Sequence, residues 1–578
     1  MNAPEVTRPF GREGWALLAL WALSFAVRLL VLGAWADHPL FETPLGDEKN
    51  FHDTAVALLQ GQGGGPAAFF YQPLYTFYLA AVYQVFGVSV FAVKTLQLGI
   101  GSLTTLLFYA LGRRLGGRWV GGLTGLGHAL YGPMVFFEGQ LLDPVLVVPL
   151  MALALLALLR CAPGRPGWPL FAGLCLGLSL MARPNLLLVI PVVGIWLLGL
   201  PADVRWKRGL PLLWLGLGLG LGMLPSWIHN FRVGQGVVPV SASGGHSFYL
   251  GNNPQASGAF HLPRGDRIDD SSHEAYRASL AALAEEAQGR ALTPSEVSSY
   301  WYGQGFGFWK DQPGAALLLA LKKAGLAVSA EEMPIHHSLA FGCLLAPALG
   351  WLPGFGIAFP FAMLGALAGL RRNRREVGLL VWLVSVYLFT LVIFYVADRY
   401  RIVVLPALLA LSALGLVELS ALLRASSSRL RAAALLVILG AFALGHLPLT
   451  QPPSGQRLLY DLHNLTGKAW GDRGEIAKAE ASFREAVATA GEGKGAVART
   501  NLGLILERRQ DWATARSLYE QAAAADPEYR APRSQLARLC ERRGEIGEAI
   551  RWWEEVARLE ADPAPIREHI QQLRASPR

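Results

Sequence analysis

Two adjacent carboxylates, Asp47 and Glu48, begin a helical pattern just beyond the first apolar segment of the chain. A carboxylate at the mouth of a lipid-facing cavity can take a proton from an acceptor hydroxyl, which is general-base catalysis. Acidic residues at a helix start also have a structural role, because they cap backbone N–H groups and complement the helix dipole. Both roles are open for this pair.

Three arginines near the ends of apolar segments have side chains that could bind phosphate. Arg399 and Arg401 flank Tyr400, and Arg183 lies at a helix break. A planar guanidinium can hold a phosphate through two parallel hydrogen bonds. The same side chains could instead anchor the protein at lipid headgroups. The residues therefore indicate either a donor-phosphate site or membrane anchoring.

Four more polar residues lie at predicted turns. Glu138 and Asp143 bracket a tight turn, where they could cap it, line a cavity or bind metal. His246 and Asn252 belong to a glycine-rich loop that could hydrogen-bond a sugar, although turns favour glycine and asparagine in any case. These residues identify no cofactor with certainty. Glu138 and Asp143 are compatible with a divalent cation.

The composition indicates a membrane protein. Of the 578 residues 53% are hydrophobic and only 16% are charged, against roughly a quarter charged in soluble domains. The net charge of +9 does not indicate nucleic-acid binding, because no basic face carries interleaved aromatic residues. The four cysteines show neither metal-ligand nor disulfide-framework spacing.

Eleven apolar stretches are long enough to cross about 30 Å of hydrocarbon. They lie near residues 15–36, 89–112, 119–137, 141–159, 168–182, 185–200, 210–228, 346–370, 377–396, 402–423 and 432–448. A shorter stretch, 73–87, is interrupted by tyrosines, and we predict that it lies in the membrane interface.

The distribution of basic residues sets the predicted orientation. With the N-terminus inside, most arginines and lysines fall in cytoplasmic segments, including the cluster at 371–375. The outer side then holds two large loops, 37–88 and 229–345. In the second we predict strands at Val237–Ser241 and Ser247–Leu250, and a surface helix from Pro313 to Ser329 with Lys322 and Lys323 snorkelling.

The C-terminal part repeats with a period near 34 residues. Small and aromatic residues recur at matching positions, as in Gly467 and Phe483, Gly503 and Tyr519, and Ala537 and Trp553. This pattern resembles tetratricopeptide repeats, in which helix pairs stack into an α-solenoid that binds proteins or peptides. We predict a membrane domain at 1–449, a linker at 450–457 and a periplasmic repeat domain at 458–578.

Several motifs in order resemble the GT-C glycosyltransferases of the protein O-mannosyltransferase and aminoarabinose-transferase type. The resemblance covers about residues 15–425 and rests on shared short motifs. They are Asp47-Glu48, Ala55-x-x-Leu58-x-x-Gly61, Pro73-Leu74-Tyr75, Glu138, Asp143-Pro144, Ala182-Arg183-Pro184, His229-Asn230-Phe231, the loop from Gly244 to Pro254, Lys323, Glu332-Met333-Pro334 and Arg399-Tyr400-Arg401.

The resemblance implies an all-α multi-span bundle and an inverting enzyme that takes a sugar from a polyprenyl-phosphate carrier. It implies Asp47 as the general base, with Glu48 beside it. We predict donor-phosphate binding by Arg399, Arg401 and Arg183. We predict substrate binding by Glu138, Asp143, His246, Asn252 and Tyr75. The predicted location is the bacterial inner membrane, with the site and the repeats in the periplasm.

The expected partners are a polyprenyl-phosphate-linked sugar, membrane lipid, and an acceptor protein, lipid or glycan that the repeats could recruit. Two other functions are open. A non-enzymatic scaffold would use the repeats to gather envelope proteins, but eleven spans exceed what anchoring needs. A transporter would favour ionisable residues at mid-membrane, whereas the polar residues singled out here gather at the outer face.

Overall fold

The computed structural model describes residues 11–61, 69–162, 164–200, 209–233, 241–263, 267–269, 272–335, 338–424, 427–450, 453–491 and 494–575. Over these residues the chain is helical and contains no strand, apart from an isolated parallel bridge between Ala259 and Val396. The predicted all-α class is confirmed.

The first part of the chain folds into long apolar helices and two short 3₁₀ turns, Pro39–Phe41 and Pro184–Leu188. Gly116 and Gly117 have non-helical backbone angles and divide the longest helix in two. The helices are α1 (Arg12–Gly33), α2 (Asp47–Leu59), α3 (Leu74–Phe86), α4 (Val90–Leu130), α5 (Gly132–Glu138), α6 (Pro144–Leu158), α7 (Gly167–Leu180), α8 (Val189–Leu198) and α9 (Leu210–Val233).

The second outer loop is also helical. It contains α10 (Gly244–Gly251), α11 (His273–Gln288), α12 (Pro294–Asp311), α13 (Pro313–Ala327) and α14 (Leu339–Leu345), before a 3₁₀ turn at Pro347–Trp351. The strand predicted at Ser247–Leu250 is wrong, because these residues form part of α10. A short apolar run does not distinguish a strand from a buried helix by its period alone. Residues 237–240 of the other predicted strand lie outside the described residues.

Five more helices and one short turn complete the apolar part. They are α15 (Phe355–Arg372), α16 (Arg374–Ile393), α17 (Asp398–Arg401), the 3₁₀ turn Ile402–Val404, α18 (Leu405–Arg424) and α19 (Ser428–Gly445). Asn373 alone separates α15 from α16, and its side chain accepts a hydrogen bond from the backbone N–H of Glu376.

The chain is a multi-pass membrane protein. Among the described residues, seven helical stretches are long and apolar enough to span a membrane: Glu13–Gly33, Val90–Leu130, Leu210–Arg232, Pro347–Arg372, Arg374–Ile393, Asp398–Arg424 and Ser428–Gly445. Leu74–Phe86, Pro144–Leu158, Gly167–Leu180 and Pro184–Leu198 are shorter apolar helices. The number of spans, eleven, and their orientation stay predictions.

Glycine allows close packing of two helix pairs. A Cβ built at Gly173 of α7 would lie 2.2 Å from the Leu215 carbonyl oxygen of α9. A Cβ at Gly365 of α15 would lie 1.9 Å from the Leu411 carbonyl oxygen of α18. Helices in a membrane associate through such van der Waals contact between backbones, which small residues permit.

The C-terminal residues form three helix pairs and a final helix. They are α20 (Gly455–Asp472), α21 (Ile476–Ala490), α22 (Ala496–Arg508), α23 (Trp512–Ala525), α24 (Arg530–Arg542), α25 (Ile546–Leu559) and α26 (Ala564–Ala575). Within two pairs the predicted small residue faces the predicted aromatic ring, Gly467 against Phe483 and Gly503 against Tyr519. Their classification as tetratricopeptide repeats stays a prediction.

The chain divides into two compact units. The first contains residues 1–36, 44–261 and 302–450, and the second contains 37–43, 262–301 and 451–578. The second unit therefore includes two segments of the outer loops in addition to the helices α20–α26. We call these seven helices the array.

Candidate active site

Asp47 forms an ion pair with Arg399. Asp47 is the first residue of α2, and the preceding Gly46 has a positive φ of 55° that sets the entry of the chain into this helix. The Asp47 Oδ2 atom lies 2.5 Å from Arg399 Nη2 of α17, and both side chains are largely buried. The N-cap of α2 is Gly46, so Asp47 does not serve as the N-cap residue.

A second acid–arginine pair joins Asp143 and Arg183, at 2.7 Å, and both residues are buried. The Tyr400 ring connects the two pairs, because the guanidinium carbons of Arg183 and Arg399 lie 4.5 and 5.4 Å from its centroid. The structure thus brings together four of the residues predicted from the sequence, although they are far apart along the chain.

Each of the two pairs retains buried polar atoms that make no hydrogen bond among the described residues. They are Asp143 Oδ2, Arg183 Nε and Arg399 Nε. A buried polar atom without a partner is costly, and in native proteins it often marks a functional site. The two guanidinium groups can still donate to an anionic ligand.

An open cavity lies beside these residues. It is lined by Leu45, Asp47, Glu48, Phe136, Phe137, Gln140, Leu142, Ile335, Asp398 and Arg399. The 100° turn between successive helical residues suggests that only one carboxylate of the pair faces a given cavity. That expectation is wrong here, because the cavity meets α2 at its first turn and both carboxylates line it.

Glu48 is nearly inaccessible, with 6% of its surface exposed, and its Oε1 atom has no hydrogen-bond partner among the described residues. Burial raises the pKa of Glu48 to about 7, while the nearby Lys94 ammonium acts in the opposite direction. A carboxyl group with a pKa near neutrality can exist in either protonation state at the working pH, as acid–base chemistry requires.

The raised pKa of Glu48 predicts how folding stability changes with pH. The folded protein keeps this proton up to about pH 7, whereas the unfolded chain releases it near the ordinary glutamate pKa of 4.5. The contribution of Glu48 to stability is therefore complete below about pH 4.5 and is lost as pH rises through about 7.

We expect the melting temperature of the wild-type protein to fall, relative to that of a Glu48→Gln variant, between pH 5 and 8. Thermal unfolding in detergent measures this difference. Glu568→Gln, at an exposed carboxylate of α26, is the matched control and should show no such trend. Parallel pH curves for the wild type and Glu48→Gln would contradict the raised pKa.

Glu138 and Tyr75 are held by internal partners. Glu138 receives two hydrogen bonds from Arg28 of α1, at 2.5 and 3.1 Å. The Tyr75 hydroxyl donates to the Gln97 side chain at 2.5 Å, and the Gln97 amide in turn donates to the backbone carbonyl of Glu138 at 2.9 Å. Sequence reasoning missed Arg28, although an arginine inside an apolar span is itself a signal of a polar partner.

Asn252 connects several elements of the second outer loop. Its side chain donates to the carbonyls of Phe248 and Ile393, and its oxygen accepts from Trp309 and Lys323. These contacts give Asn252 a structural role, and Asn252 is not among the described residues that line the Asp47 cavity.

The predicted snorkelling of Lys323 is wrong. Its ammonium is buried and donates to the carbonyls of Gly251 and Phe394, each at 3.0 Å, and to Asn252. Carbonyl oxygens at the ends of α10 and α16 supply the partners that water would otherwise provide. Lys322 is exposed as predicted.

His246 lies in α10 and is buried, and burial lowers its pKa to about 3. The imidazole is therefore neutral at physiological pH. His246, like Asn252, is absent from the described residues around the Asp47 cavity.

Arg401 points to different partners from its neighbour Arg399. It is buried, donates to the carbonyls of Ser329 and Glu331, forms a 2.6 Å ion pair with Glu332, and lies 4.3 Å from the centre of the Phe355 ring. These contacts join the segment after α13 to α15 and α17.

The described residues contain no group of three or more His, Cys, Asp or Glu side chains placed to hold a metal ion. Glu138 and Asp143, where a divalent cation was left open, are each paired with an arginine. The neighbouring histidines at 336 and 337 lie outside the described residues.

Comparison with known proteins finds one family model that matches part of the chain. The model of the dolichyl-phosphate-mannose-protein mannosyltransferases matches residues 71–229. This match includes Tyr75, Glu138, Asp143 and Arg183, and it confirms the predicted resemblance to GT-C glycosyltransferases over this segment. No curated protein matches the chain in sequence.

Solved structures with a related arrangement include the apo oligosaccharyltransferase of Archaeoglobus fulgidus, at 14% identity and a TM-score of 0.43, over 78% of this chain. The chain spans 58% of the length of that protein. Another is ArnT from Cupriavidus metallidurans bound to undecaprenyl phosphate, at 15% identity and a TM-score of 0.40, covering 91% of this chain and 81% of that one.

Proposed function

We propose that this protein is an inverting membrane glycosyltransferase that moves a sugar from a polyprenyl-phosphate donor to a protein, lipid or glycan acceptor in the periplasm. The observation that carries the proposal is the pairing of Asp47 with Arg399 in one cavity, with Asp143 and Arg183 beside it. The family-model match over residues 71–229 supports the same class of reaction.

In the proposed step, Asp47 takes the proton of an acceptor hydroxyl. The acceptor oxygen forms a bond to the anomeric carbon of the sugar, and the bond from that carbon to the phosphate oxygen breaks. The electron pair of the broken bond stays on the polyprenyl phosphate. Attack opposite the leaving phosphate inverts the anomeric centre. Arg399 and Arg183 stabilise the charge on the phosphate.

The Asp47–Arg399 pair gives this reaction a sequence of events. The ion pair with Arg399, at 2.5 Å, occupies the Oδ2 atom of Asp47. A donor phosphate competes with the Asp47 carboxylate for the guanidinium of Arg399, because a guanidinium binds both phosphate and carboxylate groups. Donor binding then releases Asp47 to act on the acceptor.

Arg399→Lys should weaken donor binding by about tenfold, because an ammonium cannot replace the planar fork of the guanidinium. Donor affinity can be measured with a fluorescent polyprenyl-phosphate sugar and purified protein in detergent. Arg372→Lys is the matched control, since the exposed Arg372 side chain pairs with Glu418. Headgroup anchoring predicts instead that Arg399→Lys binds the donor normally.

The same assay decides the role of Arg401. The sequence predicts a donor contact, whereas its partners Ser329, Glu331 and Glu332 favour a structural role. Arg401→Lys should therefore lower the melting temperature and leave donor affinity close to that of the wild type. A loss of affinity equal to that of Arg399→Lys would return Arg401 to the donor site.

A further inference from the structure

The segment 37–43 connects α1 to the loop that begins with Asp47, and it belongs to the same compact unit as the array. Its 3₁₀ turn, Pro39–Phe41, is buried. Arg473, the C-cap residue of α20, donates a hydrogen bond to the Pro39 carbonyl at 2.8 Å, and its guanidinium lies 3.8 Å from the Glu42 carboxylate. The array therefore holds the start of the first outer loop.

A second arginine of the array holds the second outer loop. Arg530, at the start of α24, lies 2.5 Å from Asp269 and 2.5 Å from Glu560, the C-cap residue of α25. The side chains of Arg530 and Asp269 are 15% and 20% exposed. This pair is shielded more than an ordinary surface ion pair, and Arg530 connects the loop segment to both helices of one pair.

These contacts bear on the proposed site through the chain itself. Thr43 is followed after three residues by Asp47, and Gly46 fixes the direction of the chain between them. The second held segment starts at residue 262, ten residues after Asn252, whose side chain donates to the carbonyl of Ile393, six residues before Arg399. A shift of about 1 Å in a reacting group can reduce turnover by up to 10²-fold.

We propose that Arg473 and Arg530 are positioning residues, through which the array holds both outer loops in the arrangement that sugar transfer requires. This inference rests on the proposed function. It gives the array a part in the reaction itself, in addition to any acceptor recruitment. A partner bound to the array could then change turnover by altering these contacts.

The test compares Arg473→Gln and Arg530→Gln in the full chain with Arg574→Gln. Arg574 is a matched control because it forms an arginine–glutamate pair of 2.7 Å within the array only. Hydrogen exchange should rise at residues 37–48 in Arg473→Gln and at 267–269 in Arg530→Gln, while residues 496–525 stay protected. Loss of the array fold would instead expose all of these segments together.

The kinetic part uses a polyprenyl-phosphate sugar and a small acceptor. We expect kcat to fall about tenfold in both Gln variants, with the donor KM within about twofold of wild type. Arg473→Lys should recover much of the rate, since an ammonium can also donate to the Pro39 carbonyl.

Two results would overturn the proposal: unchanged exchange in the loop segments, or changed exchange with wild-type kcat. If the wild-type protein transfers no sugar, the proposed function is wrong, whatever the exchange data show. The exchange data then still decide whether these arginines hold the loops, and unchanged exchange would overturn that part as well.

Discussion

Asp47→Asn should leave a folded protein that transfers sugar about 10²–10⁴-fold more slowly, because a hydroxyl is a poor nucleophile without a positioned base. The substitution keeps the size of the side chain and its place at the first turn of α2, but an amide cannot accept the proton. The Arg399 guanidinium can still meet the amide oxygen, so donor binding should persist. Transfer from a polyprenyl-phosphate sugar by purified variants of measured thermal stability is the assay.

Asp53→Asn provides the matched control, since Asp53 lies on the same helix and forms an exposed pair with Lys49 at 2.8 Å. It should retain wild-type activity. Glu48→Gln should slow transfer less than Asp47→Asn if Glu48 only orients the acceptor or the loop. A near wild-type rate for Asp47→Asn would remove Asp47 as the base, and a larger loss in Glu48→Gln would assign that role to its neighbour.

Glu138→Gln is expected to destabilise the fold by about 3–5 kcal/mol, because it leaves the charge of Arg28 buried without its carboxylate. Arg28 and Glu138 are 2% and 3% exposed and share two hydrogen bonds. Denaturation in mixed detergent micelles measures the free energy of unfolding. The loss should appear whether or not a substrate is present.

The double variant Arg28→Met, Glu138→Leu should recover most of this stability, since replacing a buried ion pair by apolar residues is often neutral or stabilising. Its sugar-transfer activity then separates the two roles of Glu138. Wild-type activity would indicate a structural pair only. A stable but inactive double variant would support the predicted contact between Glu138 and the substrate. A Glu138→Gln variant of wild-type stability would contradict the expected loss of folding free energy.

The sequence predicted the elements better than their partners. Long apolar runs identify membrane helices because hydrocarbon thickness fixes their length, and the spacing of Gly503 and Tyr519 follows from helix pairing. In contrast, Arg28 and Glu138 are 110 residues apart, and their contact depends on how α1 packs against α4 and α5. The sequence around each of these residues does not indicate which distant residue its side chain will contact.

Lys323 shows the same limit. Its place in an apolar helix near the predicted membrane surface indicates snorkelling, as for Lys322. The carbonyls that hold it belong to Gly251 and Phe394, about 70 residues away on either side. The acid–arginine pairs were predicted as separate residues, and only the fold shows that Asp47 is bound to Arg399 and Asp143 to Arg183.

The single-residue connection at Asn373 has a consequence for biosynthesis. Because only one residue connects α15 to α16, we expect the two helices to enter the membrane together as a hairpin. Arg371, Arg372, Arg374 and Arg375 surround the turn, and their charges oppose its translocation. We therefore expect the arginine cluster to act while the chain is being synthesised, by keeping this turn on the side of the membrane where the ribosome lies.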